Sequence, residues 1–371
     1  MRYWLIAVAM MWTMGTAWSQ DITVSNVNLR QLPTDMGGMQ VLVNFELTGE
    51  NITADSPAYV FVRYSKDGGD TWQLLSREFF SMGTNDLFIS GGSKNIVWWG
   101  AEETENFDPE QLQVKVRAIP MQRVAGGPFL MQSEPGQGRH MGEVLTPTSL
   151  PTCYVMRYEV TVAQYADYLN EMGKLGRGWN TRMARVERCG ITQEGATPNL
   201  TYTVAEGRDR YPVIAVSWYD AVAWLQWAGL QMPTEAQWEK SSRGGAHLDG
   251  EAGAVANPMP ERKYPWGDEK PNADGVFRCN QDGDGDGFEG TAPVGSFVEF
   301  NSPYDICDLA GNVSEWTRDW YTTTHHAGLD GFRVLRGGSW MAMSAGVTII
   351  TGATQFPIKE SSIMGFRGIR E

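Results

Sequence analysis

Between residues 20 and 120, hydrophobic and polar side chains alternate with a period of two. One run places Met39, Val41, Val43, Phe45 and Leu47 on one face, with Gln40, Asn44 and Glu46 between them. Clusters of Gly and Asp separate this run from others of the same kind. Short alternating strands divided by turns are typical of a small antiparallel sandwich. The pattern therefore predicts an all-β domain over residues 20–120.

One turn in this region carries a recognisable motif. Residues 65–72 read Ser-Lys-Asp-Gly-Gly-Asp-Thr-Trp, in which polar side chains are expected to stabilise a hairpin turn with Trp72 packed beneath it. The motif recurs in propellers, but a propeller needs several blades and this region holds a single copy. We therefore expect a structural turn here and no catalytic role.

The pattern changes after residue 120. Residues 121–149 are rich in Gly, Pro, Gln and Ser, which predicts a linker or entry loop. Beyond it, Thr161, Ser217 and Thr234 each precede a helical pattern and are followed three residues later by Gln or Asp. That spacing is typical of a helix N-terminus. Few helices among long Gly- and Trp-rich loops predict an irregular α+β domain over residues 150–371.

The first nineteen residues predict a signal peptide. Arg2 precedes an apolar stretch, and Ala17 and Ser19 place small residues before a cleavage site near Gln20. This predicts a secreted or periplasmic protein of bacterial type without a membrane anchor. The chain of 371 residues carries a net charge of -14. An acidic chain lacks the positive field that attracts phosphate backbones, so we expect no nucleic-acid partner.

Four cysteines follow the predicted cleavage site. In an oxidising compartment an even number suggests two disulfides, with the pairing left open, and four free buried thiols are the alternative. The cysteines are Cys153, Cys189, Cys279 and Cys307.

Asp282, Asp284 and Asp286 alternate with glycines, a pattern that suits a hard cation such as calcium. The twelfth position from Asp282 is Pro293, where an EF-hand loop has Glu, so an EF-hand is not expected. The alternative is a solvated acidic turn.

Residues from about 150 to 371 resemble the sulfatase-modifying-factor, or formylglycine-generating-enzyme, domain family. The motifs occur in the order of the family, and the stretches that carry the resemblance are Tyr158–Thr161, Tyr211–Val213, Val216–Ala221, Met232–Glu239, Tyr264–Glu269, Gly290–Phe297, Asp308–Trp316, Arg333–Trp340 and Gly365–Arg367. The resemblance implies a C-type-lectin-like fold. Together with the N-terminal pattern it predicts an α+β, irregular C-type-lectin-like domain preceded by an all-β immunoglobulin- or fibronectin-like sandwich.

The resemblance also bears on catalysis. Oxidising members of the family hold copper with two cysteines shortly after the Gly-Gly-Ser stretch, here Gly337–Ser339, and convert a sulfatase cysteine to formylglycine. The corresponding positions in this chain are Ala342 and Val347. Neither side chain forms a thiolate or ligates copper. The sequence therefore favours a non-oxidising member with no copper and no catalytic residue, although an enzyme with a repurposed pocket stays an alternative.

The resemblance further implies structural calcium. One implied site uses the side chain of Asp286 and the carbonyl of Phe288, with Asn280 and the Gln281 carbonyl as further ligands. The second implied site maps onto Asp308, Gly311, Val313 and Glu315. We expect calcium to stabilise loops with little regular hydrogen bonding and to take no part in catalysis.

The segment 341–364 departs from the family while the motifs on either side of it are kept. This suggests a ligand face for an unknown protein, peptide or glycan, formed by Trp320, Arg336, Ser339, Trp340, Met341, Met343 and Gln355. The same framing fits variable receptors of diversity-generating retroelements, and an ordinary divergent core segment is the plain alternative. The sequence thus predicts an exported, non-catalytic binding protein, with a variable receptor and a structural cell-envelope component as alternatives.

Overall fold

The computed structural model describes residues 21–33, 39–76, 86–99, 110–131, 146–176, 178–180, 182–185, 187–250, 255–321 and 331–371. The predicted signal peptide, residues 1–19, lies outside this part of the chain. Within the described residues, no helix is long and apolar enough to cross a membrane. The chain divides into two compact units, Met1–Pro120 and Met121–Glu371.

The N-terminal unit is built from antiparallel strands in two sets. The first set has the order β1–β2–β6, and in the second β3 pairs with β4, β5 and the first part of β7. The strands are β1 (Ile22–Pro33), β2 (Met39–Gly49), β3 (Ala58–Ser65), β4 (Gln73–Leu74), β5 (Leu87–Phe88), β6 (Gly92–Trp99) and β7 (Gln113–Val124). The predicted all-β character is confirmed, and the immunoglobulin- or fibronectin-like topology stays a prediction.

The alternation in β2 places its apolar residues in the core of this unit. Val41, Val43, Phe45 and Leu47 are all buried, and they share one hydrophobic cluster with Val60 and Val62 of β3 and with residues of β6. Because successive side chains of a strand point to opposite faces, this face of β2 supplies the contact between the two sets of strands.

The motif at residues 65–72 forms the predicted structural turn. Ser65 Oγ donates to Asp67 Oδ1 over 2.7 Å, and the Thr71 N–H donates to the same oxygen over 2.9 Å. Trp72 Nε1 donates to the Gly69 carbonyl. The hydrogen bonds from Ser65 and Thr71 hold the pKa of Asp67 well below its usual value. These contacts satisfy the polar groups of the turn from within, as expected of a structural turn.

Three helices in the C-terminal unit begin where the sequence predicts. They are α1 (Val162–Met172), α2 (Trp218–Ala228) and α3 (Glu235–Arg243), and each has a complete capping box, with Thr161, Ser217 and Thr234 as the first partners. In each box a side-chain oxygen accepts an N–H at the helix start that would otherwise lack a partner.

The rest of this unit consists of short strands and 3₁₀ turns. Four strands form the sheet that positions the candidate site, in the order β15 (Gly352–Gln355), β14 (Arg333–Arg336), β13 (Ser314–Trp320) and β16 (Met364–Gly365). The other strands are β8 (Gly127–Met131), β9 (Thr146–Leu150), β10 (Cys153–Met156), β11 (Ile191–Glu194), β12 (Thr201–Val204) and β17 (Ile369–Arg370). The 3₁₀ helices are Gly173–Leu175, Met183–Arg185, Glu187–Cys189, Ala273–Gly275, Val298–Phe300 and Ser344–Gly346.

The range expected as a linker is partly regular structure. Residues 121–124 end strand β7 and pair with β10, and β8 pairs with β9 along residues 127–131 and 146–150. Residues 132–145 of that range lie outside the described part of the chain. Gly and Pro content suggested irregular backbone, but Gly127 and Pro128 lie within β8, which has one strand neighbour among the described residues and thus tolerates them.

The four cysteines are free, buried thiols in place of the two predicted disulfides. Cys153 packs in one apolar cluster with Val155 and Trp238, and Cys279 packs in another with Tyr264 and Val347. Burial raises the pKa of Cys189 to about 11 and that of Cys153 to about 12. Each thiol behaves as a small apolar core group, because a buried thiolate would lose its hydration.

Candidate functional site

Ala342 and Val347, which stand at the positions of the copper-binding cysteines implied by the family resemblance, lie in an apolar environment. Val347 is fully buried in a cluster with Tyr264, Cys279 and Ala310, and Ala342 packs against the same cluster. Gly338 allows the segments to approach, since its φ is 72° and a Cβ there would lie 2.4 Å from the Gly346 carbonyl oxygen. The two positions are therefore brought together by the fold but carry no metal-binding side chain.

Asn312 connects the loops around this cluster. Its Nδ2 donates to Glu159 Oε2 over 2.6 Å, and its Oδ1 accepts the Ala292 N–H over 2.9 Å. Its backbone N–H donates to the Asn280 carbonyl, and its own carbonyl accepts the Trp340 N–H. Asn312 thus connects the segments around Glu159, Asn280, Ala292 and Trp340 by hydrogen bonds.

The residues of the first implied calcium site lie together. Asp286 accepts the N–H of Gln281 through Oδ2 and the N–H of Phe288 through Oδ1, at 2.9 and 3.0 Å. Asn280 is buried and its Nδ2 donates to the Gly290 carbonyl, but its Oδ1 has no hydrogen-bond partner among the described residues. A buried amide oxygen without a donor is costly in free energy, and a hard cation would satisfy it.

The second implied site is dominated by an ion pair. Glu315 is buried, and its carboxylate accepts from Arg367 Nε and Nη2 and from Trp238 Nε1. Asp308 accepts the Gly295 N–H over 2.6 Å through Oδ2. Gly311, with a φ of 79°, lies so close to Asn280 that a Cβ would collide with its carbonyl oxygen. The oxygens of Glu315 are thus already satisfied by protein donors.

Negative charge exceeds positive charge around this ion pair. Glu159, Asp308 and Glu315 all interact with Arg367, the guanidinium that they share. Burial raises the pKa of Asp308 to about 6, while the Gly295 N–H and Arg367 oppose the shift. Burial, reinforced by Asp308 and Glu315, raises the pKa of Glu159 well above its usual value. No group of three or more His, Cys, Asp or Glu residues in the described chain is arranged to hold a metal ion by these side chains alone.

The residues of the predicted ligand face lie in separate parts of the C-terminal unit. Arg336 and Ser339 are buried, and Arg336 pairs with Glu239 over 2.6 Å and with Glu235 over 3.3 Å. The contact of Arg336 with a ligand stays a prediction, and the structure places this side chain in the interior and not at the surface. The reason is that β14 turns this side chain toward α3, whose two carboxylates neutralise it.

Trp340, Met341 and Met343 lie beside the acidic loop. The Asp282 N–H donates to the Ala342 carbonyl, and Ser344 Oγ donates to Gln281 Oε1. Met341 and Met343 are exposed, whereas Trp340 is half-buried and donates through Nε1 to the Ser362 carbonyl. These three residues do not join the remaining two predicted ligand residues, Trp320 and Gln355.

Trp320 and Gln355 are brought together by Arg333, which the sequence analysis did not single out. In the sheet, Arg333 of β14 is paired with Trp320 of β13 on one side and with Gln355 of β15 on the other. The Arg333 guanidinium carbon lies 3.4 Å from the centre of the Trp320 ring and 3.8 Å from that of the Trp218 ring. The alternation of side chains along a strand could have revealed Arg333. Residues three apart in a strand, here Arg333 and Arg336, point to opposite faces of the sheet.

We call the residues Trp218, Tyr219, Trp320, Arg333, Gln355 and Phe356 the Arg333 surface. Tyr219 is 52% exposed, Trp320 45% and Phe356 49%. Trp218 packs edge-on against Tyr219, and the backbone N–H of Trp218 donates to the Pro357 carbonyl, which fixes the turn after Phe356. Clusters of exposed aromatic side chains mark interaction sites on soluble proteins.

The charge of Arg333 is only partly compensated within this surface, by its electrostatic interaction with Asp319. The residue is 8% exposed, donates through Nη1 to the Arg318 carbonyl and forms no ion pair among the described residues. Its buried Nε has no hydrogen-bond partner there either. Burial lowers the pKa of Arg333. The two indole rings supply cation–π attraction, which offsets part of the lost hydration.

Comparisons with known proteins identify relatives of the C-terminal region. The chain is 33% identical over 231 residues to a formylglycine-generating enzyme of Streptomyces coelicolor, covering 56% of this chain and 65% of the relative. It is 36% identical over 166 residues to the inactive C-alpha-formylglycine-generating enzyme 2 of Bos taurus, covering 42% and 49%. Among solved structures, PvdO from Pseudomonas aeruginosa aligns with a TM-score of 0.45 at 21% identity, covering 68% of this chain and 94% of PvdO.

The alignment with the Streptomyces enzyme spans 65% of that relative's length. A family model described as the sulfatase-modifying factor enzyme 1-like domain matches residues 107–371, which is more than half of the chain. The chain therefore belongs to the sulfatase-modifying factor, or formylglycine-generating enzyme, family.

Proposed function

We propose that this protein is an exported, non-catalytic binding member of its family, with loops stabilised by calcium. The observation that carries the proposal is the replacement of the copper-binding cysteine pair by Ala342 and Val347 on an otherwise retained scaffold. Membership alone does not decide activity, because one fold hosts many functions. The name of the Bos taurus relative describes it as inactive, which supports the view that some family members do not catalyse the reaction.

The environment of the two positions supports loss of the oxidase chemistry. Copper(I) prefers soft thiolate ligands, and the thiolate is the reactive form of cysteine. Cys279 packs in the same cluster, but burial raises the pKa of its thiol far above neutrality. A protonated thiol among apolar side chains does not replace a pair of thiolates.

Calcium is proposed for the loop of Asn280, Gln281, Asp286 and Phe288. The unpartnered Asn280 Oδ1 and the Asp286 carboxylate are oxygen donors of the kind that calcium takes, and carbonyls would complete the set. The ion would stabilise a loop that has few backbone hydrogen bonds of its own. At Asp308, Gly311, Val313 and Glu315 the support is weaker, since Arg367 and Trp238 already occupy the Glu315 oxygens.

Export and binding complete the proposal. The charge and apolar pattern of residues 1–19 supports export to the periplasm or the medium. The Arg333 surface supports binding, because exposed Trp and Tyr with Arg at the centre is the composition of interaction hot spots.

The decisive experiment is a peptide oxidation assay. The purified protein, loaded with copper, is incubated with a Cys-x-Pro-x-Arg peptide, and an oxidising family member is run in parallel as the positive control. We expect mass spectrometry to show unchanged peptide with this protein and formylglycine with the control. Formylglycine above the background of copper alone would overturn the non-catalytic assignment.

A further inference from the structure

We propose that the Arg333 surface binds a carboxylated sugar, such as a uronic acid residue of an acidic glycan. This inference deepens the proposed binding function and rests on it. It follows from three features of the described residues: exposed flat rings, basic side chains around them, and a buried guanidinium that forms no direct ion pair.

The exposed rings provide a platform for the apolar face of a sugar. Trp320 is stacked on Arg333 through one face of its indole, and nearly half of the side chain stays open to solvent. Tyr219 lies beyond Trp218, which is in contact with both Tyr219 and Arg333. Amphipathic rings of this kind bury C–H groups on their faces and offer a hydroxyl or N–H at the edge.

The charge around the rings favours an anion. Arg318 and Lys359 are exposed, and both are close in sequence to members of the surface. Two acidic groups lie nearby: Asp319 accepts the Glu235 N–H at the start of α3 and also interacts with Arg333, and Glu360 interacts with Asp220, Arg182 and Lys359. On a chain with a net charge of -14, this surface is a local exception.

The guanidinium fits a carboxylate better than a neutral hydroxyl. Its planar fork matches the two oxygens of a carboxylate, and an ionic hydrogen bond is stronger than a neutral one. Aromatic faces normally repel anions because they carry negative charge density. The cation stacked beneath Trp320 offsets that repulsion, so the same ring tolerates a ligand that carries a carboxylate.

The edge of the surface adds a polar contact. Gln355 Oε1 accepts the N–H of Phe356, and the Gln355 Nε2 has no partner among the described residues. An amide nitrogen beside an aromatic ring is suited to a sugar hydroxyl, which can accept its hydrogen bond. A small number of polar groups around an apolar platform fixes the orientation of a ligand.

The test is calorimetric titration of the full chain with a galacturonic acid trimer and with the methyl ester of the same trimer. The ester keeps the sugar rings and removes the charge. We expect the acid to bind and the ester to bind at least tenfold more weakly. Trp320→Ala, at an exposed position, should weaken acid binding at least tenfold, and Arg333→Lys should weaken it while keeping the charge. Val298→Ala, at an exposed position outside the Arg333 surface, is the matched control and should bind like the wild type.

Several results would overturn the inference. Equal affinity for acid and ester, or unchanged binding by Trp320→Ala, would show that the guanidinium and the ring are not the site. Equal binding of a glutamate-rich peptide of the same charge would assign the surface to acidic protein. No binding to the galacturonic acid trimer, to a hyaluronan tetramer or to sialyllactose would remove the sugar class. None of these results affects the peptide oxidation assay, which tests the proposed non-catalytic function separately.

Discussion

Arg367 and Glu315 form a bidentate ion pair in the interior of the C-terminal unit. Arg367 Nη2 lies 2.6 Å from Glu315 Oε1, Arg367 Nε donates to both carboxylate oxygens, and both side chains are buried. The same guanidinium donates to the carbonyls of Met156, Arg157 and Cys307. One side chain thus joins β10, β13 and the loop that carries the Asp308 motif.

Removing one partner of this pair should destabilise the unit strongly. For Arg367→Met we expect a loss of about 3–5 kcal/mol in the free energy of unfolding, because Glu315 is left as a buried, uncompensated charge. Urea unfolding followed by tryptophan fluorescence gives the value. The control is Glu269→Gln, which breaks the Arg278–Glu269 ion pair, where Glu269 is largely exposed. There the loss should stay below about 1 kcal/mol, and similar losses in both variants would contradict the prediction.

Calcium should stabilise the protein through the loop of Asn280 and Asp286. A chelator should lower the melting temperature, and excess calcium should restore it, because a ligand that binds only the folded state stabilises it. Asp286→Ala should abolish the response to calcium. Asp284→Ala is the matched control in the same acidic run, since Asp284 is exposed and no side-chain contact of it is seen. A calcium response that survives Asp286→Ala would place the ion elsewhere.

Stability in the presence of a chelator should fall between about pH 4 and pH 6. The folded-state pKa of Asp308 is about 6, above its usual value of 3.8, so the folded chain holds this proton more tightly than the unfolded chain does. The resulting stabilisation is fully present below the unfolded value and is lost as the pH rises through the folded one. Asp308→Asn should reduce this slope, and thermal melts across that range measure it. An unchanged slope would assign the effect to other groups, Glu159 first.

All four cysteines should titrate as thiols in the unfolded protein. In native buffer we expect almost no reaction with a thiol reagent, because the four side chains are buried and burial raises the pKa of each. In denaturant without reductant, four thiols per chain should react. Zero or two reactive thiols would show that disulfides form after all.

Local patterns predicted much of the fold. The capping boxes at Thr161, Ser217 and Thr234 could be predicted from the sequence, because their hydrogen bonds join residues only three positions apart. The burial of alternate residues in β2 followed in the same way from the period of the strand. The linker range was misjudged because its composition, rich in Gly and Pro, is also tolerated in a strand with one neighbour.

Long-range packing explains what the sequence did not reveal. Arg336 was expected at the surface, and its burial depends on two carboxylates of α3 that only the fold brings near. The role of Arg333 depends on Trp218, far earlier in the chain, and on Trp320 across the strand pair. The proposed calcium ligands came from the family resemblance. The structure adds that Asn280 Oδ1 has no hydrogen-bond partner among the described residues and that the Glu315 carboxylate already accepts from Arg367.

The contacts of Arg367 also constrain the order of folding. Its partners lie 52 to 211 positions earlier in the sequence, so none of these bonds can form before residue 367 has been synthesised. Until then Glu315 lacks the guanidinium that pairs with it, and burying a carboxylate without its partner is costly in free energy. The C-terminal unit should therefore complete its fold only once residue 367 is present, and slowly, because long loops must close before these contacts form.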